Sequence, residues 1–230
     1  MSITLDDTLV HCLEDRLAVL LNERRSGGLS AEERFEIKRI TAALSGRPGP
    51  APHAILMSGL QGAGKTTLAR AFEHSGFRRL CPDEEMFRRH GHYGQDFPRG
   101  QFRVREAPIL RDIARELQHL LEDGHDVVLD HGLWTPEERG QWAATAKEAG
   151  GQPVLIYLSE SHEVRWGRIR KRNEKSLVDA NSIEFSEDDL LRHAGRFIPP
   201  TDDEPHIMYE GNSDEVLAQI RRTDAGHREP

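Results

Sequence analysis

Residues 59–67 read Gly-Leu-Gln-Gly-Ala-Gly-Lys-Thr-Thr, a spacing of glycines, one lysine and a hydroxyl that suits a triphosphate tail. Gly59, Gly62 and Gly64 let the main chain turn inward and come close to a β-phosphate, so that amides along Gln61, Ala63 and Thr67 can point at it. Lys65 then reaches the β- and γ-phosphates, and the Thr66 hydroxyl ligates Mg2+. An apolar run at 54–58 precedes the turn and a helix-forming run at 68–72 follows it. A helix opening near Lys65 adds free amides and a positive dipole end. The alternative is a glycine-rich turn with no ligand, which would need neither the strand before it nor the helix after it. The reading is a P-loop for ATP and Mg2+.

Three further groups fit around such a site. Val127, Val128 and Leu129 end in Asp130, and an acid at the carboxyl end of a central strand stands within reach of magnesium or its waters. The other reading of Asp130 is an ordinary turn aspartate. Arg165, Arg168 and Arg172 recur at three- and four-residue spacing, so on a helix they share one face. Arginines closing over a transferring phosphoryl group stabilise its spread charge and exclude water. A solvated basic face or a nucleic-acid contact is the competing account. Asp83, in Cys81-Pro82-Asp83-Glu84-Glu85, follows a candidate strand on the rim where an acceptor meets the γ-phosphate. There it can take a hydroxyl proton, or simply cap the helix that begins at Glu84. His131 is a candidate acceptor contact. Arg139 is either an acceptor clamp or a helix-surface charge. His90, His92 and Tyr93 lie in a glycine-punctuated stretch that reads as a loop on the acceptor side. Residues 197–204 form a rigid acidic loop, placed near adenine.

The elements that must position these residues follow from pattern. Strands are expected at 54–58, 77–81, 125–130, 153–158 and 206–209, with a helix over 102–122 presenting Leu110, Ile113, Leu117 and Leu120. Thr135, Pro136 and Glu138 have the types and spacing of an N-cap, a first-turn proline and its capping partner. Strands alternating with helices imply a mostly parallel sheet covered on both faces. Residues 1–50 read as two helices, the first striped by Leu5, Leu9, Leu13, Leu17 and Leu20. The second opens at Ser30 and Glu33 and buries Ile37, Ile40 and Leu44. The linker rich in Pro and Gly at 45–52 closes this extension. The expected division is therefore a helical extension and linker at 1–50, a catalytic domain at 51–222 and a frayed tail at 223–230.

Composition narrows the function. With 30% charged residues, a net charge of −8 and two cysteines in 230 residues, the chain reads as a cytoplasmic α/β protein without disulfides, membrane span or secretory leader. The negative balance disfavours bulk coating of nucleic acid. Asn-Lys-x-Asp, the guanine-reading element of switch GTPases, is absent.

The order GLQGAGKTT, CPDEE, VVLDHG, RWGRIRKRN resembles the small P-loop kinases. That family includes the kinase domain of polynucleotide kinase, chloramphenicol phosphotransferase, gluconate kinase and, more loosely, the zeta toxins. The resemblance spans residues 54–220. It implies a three-layer α/β/α fold with a five-stranded parallel sheet of order 2-3-1-4-5. It further implies Asp83 as base, Lys65 and Thr66 at phosphate and magnesium, and Arg168 and Arg172 in a lid. Relatives differ at the position of Asp130, and the N-terminal helices fall outside the shared pattern. The activity implied is transfer of the γ-phosphoryl of Mg-ATP to a hydroxyl of a small molecule or a nucleotide or polynucleotide end. The competing accounts are a nucleotide-dependent regulatory ATPase module that binds a protein partner, and a toxin-like sugar-nucleotide kinase.

Overall fold

The computed structural model describes residues 7–26, 33, 36, 37, 39, 40, 51–174 and 184–226. Along the chain these form α1 (Asp7–Ser26), β1 (His53–Ser58), α2 (Lys65–His74), β2 (Arg78–Leu80), α3 (Pro82–His90), α4 (Phe102–Glu122), β3 (Val127–Leu129), α5 (Pro136–Glu148), β4 (Gln152–Tyr157), α6 (His162–Asn173), α7 (Glu187–Ala194), β5 (Ile207–Met208) and α8 (Ser213–Gly226).

The five strands pair in the order β2-β3-β1-β4-β5, every pair parallel; the order is the one the kinase resemblance implies, and parallel pairing is what the alternating pattern implies. β1 is buried along its whole length, as a central strand with both faces covered must be. Its alternation divides the core. Ile55 and Met57 pack with Phe72 of α2 and with Val216, Leu217 and Ile220 of α8. Leu56 packs with Ile109 and Ile113 of α4, and Ala54 with Leu117, Leu121 and Ala146 on the same side of the sheet. Parallel pairing brings the carboxyl ends of β1, β2 and β3 to one edge, where α/β proteins put their ligands.

Two details depart from expectation. On α4 the fully buried stripe is Ile109, Ile113, Leu117 and Leu121, which leaves Leu110 and Leu120 at the margin. Helix α8 runs to Gly226, so the boundary drawn at residue 222 falls inside a helix. Polar side chains are no bar to helix where one face is anchored, here by Val216, Leu217 and Ile220. Thr135 caps α5 in a reciprocal box with Glu138, with Pro136 in the first turn, as its residue types indicate.

In α1, Leu20 is buried, and Arg16 bonds Glu36 through two contacts of 2.8 and 2.7 Å. The stripe residue Leu5, the capping box at Ser30 and most of the linker lie outside the described residues, as do residues 227–230. Among the described residues no helix is long and apolar enough to cross a membrane.

Candidate active site

The turn between β1 and α2 takes the conformation its glycines permit. Gly62 and Gly64 have φ of 80° and 104°, which side chains other than glycine rarely adopt. Gly62 also admits no side chain for lack of space, because a Cβ there would stand 2.7 Å from the Arg165 carbonyl oxygen. The phosphate loop is therefore packed against the first turn of α6. Lys65 opens α2, and its Nζ donates to the carbonyls of Gly59 and Leu60 at 3.0 Å each. Burial lowers the pKa of Lys65, and the charges of Asp130 and Asp83 pull it back.

The loop leaving β3 closes the other wall. Ser58 donates to the Leu133 carbonyl at 2.8 Å, and Leu133 N donates to Met57 O at 3.0 Å. Gly132 is what allows this approach. A Cβ on it would lie 3.0 Å from Gly59 O and 3.2 Å from the Lys65 Cε.

Asp130 is buried and faces Thr66, whose hydroxyl donates to its Oδ1 at 3.2 Å. Its Oδ2 accepts two bonds from Arg79, at 3.0 and 2.6 Å, and Arg79 also forks onto Glu84. Neither Arg79 nor Glu84 stood out in the sequence. Two oxygens side by side, from Thr66 and Asp130, suit a hard divalent cation such as Mg2+, with the second carboxylate oxygen fixed by the guanidinium. Replacing Arg79 by Met strands a buried carboxylate. The expected loss is about 3–5 kcal/mol of unfolding free energy, measurable as a lowered urea midpoint; an unchanged midpoint would contradict this role.

Arg165, Arg168 and Arg172 share the phosphate-loop side of α6. Arg168 donates to the Gly62 carbonyl at 3.0 Å and pairs with Glu160 at 2.7 Å. Arg165 is buried, donates Nε to Glu160 O, and among the described residues leaves Nη1 without a partner. Arg172 lies with its guanidinium over Phe185, and its charge acts on both Lys65 and Asp83. Gln61 bonds His193 of α7 at 3.0 Å while its Oε1 is buried and, among the described residues, unpartnered. Two orphaned polar atoms, one donor and one acceptor, thus border the loop, as expected where a polar ligand completes the bonding.

Opposite Lys65 lies a cluster that only partly stood out in the sequence. Asp83, Glu106 and His131 each bring one ligand atom to within 4.8 Å of the others. Asp83 sits inside the first turn of α3, whose N-cap is Cys81, so the alternative of Asp83 as the cap is not realised. Burial raises the pKa of Asp83, and the charges of His131 and Lys65 oppose that rise. Burial also lowers the pKa of His131, and the charge of Asp83 opposes that fall. The Glu106 carboxyl is pushed up to about 7, first by burial and then by the charge of Asp83. A carboxyl raised in the folded state holds its proton longer than in the unfolded chain. Stability therefore falls as pH rises from about 4.5 towards 7 and stays lowered above that. Glu106→Gln removes this cost, so its gain in melting temperature over the native protein is larger at pH 8 than at pH 5. An equal gain at both values would contradict the assignment. Cys81, beside Asp83, has its thiol pushed up to about 12, mainly by burial, so it stays protonated.

Arg139 is corrected by the structure. It is buried, forks onto Glu204 at 2.7 Å through two nitrogens and donates to Ile198 O. With its donors committed to the 197–204 loop, it is a clasp holding that loop and not a clamp for an acceptor. In the stretch at 90–93, His90 meets Arg105 at 3.1 Å, and Tyr93 packs on Phe97 and Phe102.

Comparison with known proteins bears on the family and the fold. The sequence profile of a family described as AAA domain matches residues 55–200. No curated protein matches the sequence. Among solved structures, a protein of Chloroflexus aurantiacus provisionally described as a kinase superposes with TM-score 0.61 at 19% identity, over 75% of this chain and 98% of its own. A gluconokinase from Sinorhizobium meliloti superposes with TM-score 0.50 at 13% identity, over 78% and 98%. Kti12 of Chaetomium thermophilum, in complex with ADP-AlF3, superposes with TM-score 0.51 at 16% identity, over 74% and 98%. The chain belongs to the AAA domain family, with the fold of the small P-loop kinases.

Proposed function

We propose that the protein is an ATP-dependent phosphotransferase that moves the γ-phosphoryl of Mg-ATP to a hydroxyl of a bound acceptor. The observation that carries this reading is the glycine-built loop that holds Lys65 at its carbonyls, with the carboxylate of Asp83 near enough for each charge to act on the other. A phosphate grip next to a carboxylate with a raised pKa is what attack by an alcohol requires, since a base works best with a pKa near the working pH.

The reaction follows from the positions. The acceptor oxygen attacks the γ-phosphorus in line, and the bond from that phosphorus to the β–γ bridging oxygen breaks. Asp83 takes the hydroxyl proton. Lys65 exchanges its two loop carbonyls for phosphate oxygens and stabilises the charge that collects on the leaving ADP. Arg168 and Arg172 meet the equatorial oxygens of the group in flight, where fixed guanidinium groups need no reorganisation. Mg2+, held by Thr66 and Asp130, would neutralise charge across the β- and γ-phosphates. ADP-AlF3 in the Kti12 structure supports a nucleotide as ligand of this fold.

The acceptor is a small hydroxyl compound on this reading, and the negative net charge makes a polynucleotide end the less favoured case. The test is incubation with γ-labelled ATP and a panel of hydroxyl metabolites and 5′-hydroxyl oligonucleotides. The account expects a labelled phosphoester, lost with EDTA. Sustained hydrolysis stimulated by a protein, with no labelled ester, would instead favour a regulatory ATPase.

A further inference from the structure

We propose that the acceptor pocket is built for a cation: its hydroxyl substrate is a 1,2-amino alcohol whose ammonium group is held by Asp83, Glu106 and His131. This rests on the phosphotransferase reading, because it names the acceptor class of that same site.

The three residues come from separate elements, the first turn of α3, the first turns of α4 and the loop leaving β3. The fold nevertheless brings one ligand atom of each within 4.8 Å of the others. Among the described residues none of the three side chains makes a hydrogen bond or ion pair. Acceptors that converge with no protein partner and reach solvent leave room for one group that bridges them. An ammonium carries three N–H donors and no acceptor. Acceptors about 2.9 Å from its nitrogen in tetrahedral directions stand about 4.7 Å apart, so one nitrogen can satisfy all three residues.

Charge points the same way. Asp83 has Lys65 and Arg172 near it. Around Glu106, Asp83 and Glu138 oppose its charge and only Arg103 favours it. The corner of the pocket at Glu106 is therefore short of positive charge. A neutral polyol would supply hydrogen bonds and leave two carboxylates facing each other. An ammonium there removes that repulsion. The hydroxyl on the adjacent carbon then falls beside Asp83, where one oxygen takes its proton while the other holds the ammonium.

Ethanolamine is the smallest such compound and ethylene glycol its neutral match. Each is titrated calorimetrically into the full chain with Mg2+ and a non-hydrolysable ATP analogue present. Ethanolamine should bind about 10–100-fold more tightly than ethylene glycol, and Glu106→Gln should erase that difference, as loss of a hydrogen bond between charged groups does. His131→Asn, which keeps a neutral acceptor on a shorter side chain, should weaken ethanolamine and leave ethylene glycol unchanged. Equal binding of the two probes, or ethanolamine binding that neither substitution alters, would overturn the proposal. So would a saturable site for Mn2+ alone that disappears with Glu106→Gln and survives Thr66→Ala, since the cluster would then be a metal site. Failure of the phosphotransferase reading shows separately, as absence of heat when the ATP analogue is added first, and the comparison of the two probes is still read.

Discussion

Lys65→Ala lowers phosphoryl transfer by about 10²–10³-fold, the scale set by removing a preorganised donor from a site where charge develops. The reason lies in where the ammonium is held. Among the described residues Nζ bonds only the carbonyls of Gly59 and Leu60, partners it can give up without breaking an ion pair. Burial makes its charge costly there, and that cost is relieved when phosphate oxygens replace the carbonyls. Alanine leaves the loop with its glycines and amides and without its cation. The melting temperature should change little, because Lys65 links no two elements and its neighbours Leu68 and Ala69 carry the packing of α2. Turnover within tenfold of the native rate at saturating ATP would remove Lys65 from the chemistry.

Asp83→Asn is expected to keep Mg-ATP affinity within about threefold while turnover falls about 10²–10⁴-fold, the range for a lost general base. The amide has nearly the carboxylate's size and cannot take a proton. Burial already disfavours the charged form of Asp83, so the substitution should raise the melting temperature or leave it unchanged. Lost turnover is then not lost fold. The pH profile gives a second reading. With the pKa of Asp83 raised by burial, turnover of the native enzyme falls on the acid side at a pH above that of an ordinary aspartate, and the variant's residual rate lacks that limb. Native turnover from the Asp83→Asn protein, or a residual rate with the same acid limb, would assign the proton to another group.

Much of this architecture could be read before any coordinates, for a physical reason. Buried parallel strands need unbroken apolar runs, and such runs mark β1, β3 and β4. The phosphate loop is legible because few residue types tolerate φ near +80° against a carbonyl 2.7 Å from where a Cβ would be. Asp83 and Asp130 could be found because each ends or follows a strand. Glu106 left a fainter trace: it precedes Ile109 by three residues and Ile113 by seven, so it is a carboxylate on the buried stripe of α4. Arg79 left none, because its meaning depends on Asp130, which lies 51 residues away in sequence and next to it in space. Arg139 misled for the opposite reason. Its partner Glu204 is 65 residues away, and helical position alone shows neither its burial nor its ion pair. Pair interactions between distant segments are fixed by the sheet order, and no local pattern encodes them.

The central claim is that the loop from Gly59 to Thr67 grips the phosphates of Mg-ATP. Titration of ATP into the protein with excess Mg2+, followed calorimetrically and by thermal melting, tests it most directly. The account predicts a saturable one-to-one heat and a stabilisation of about 2.7 kcal/mol at a hundred times Kd, both lost in Lys65→Ala. A flat titration at millimolar ATP, with an unshifted melt, would contradict it.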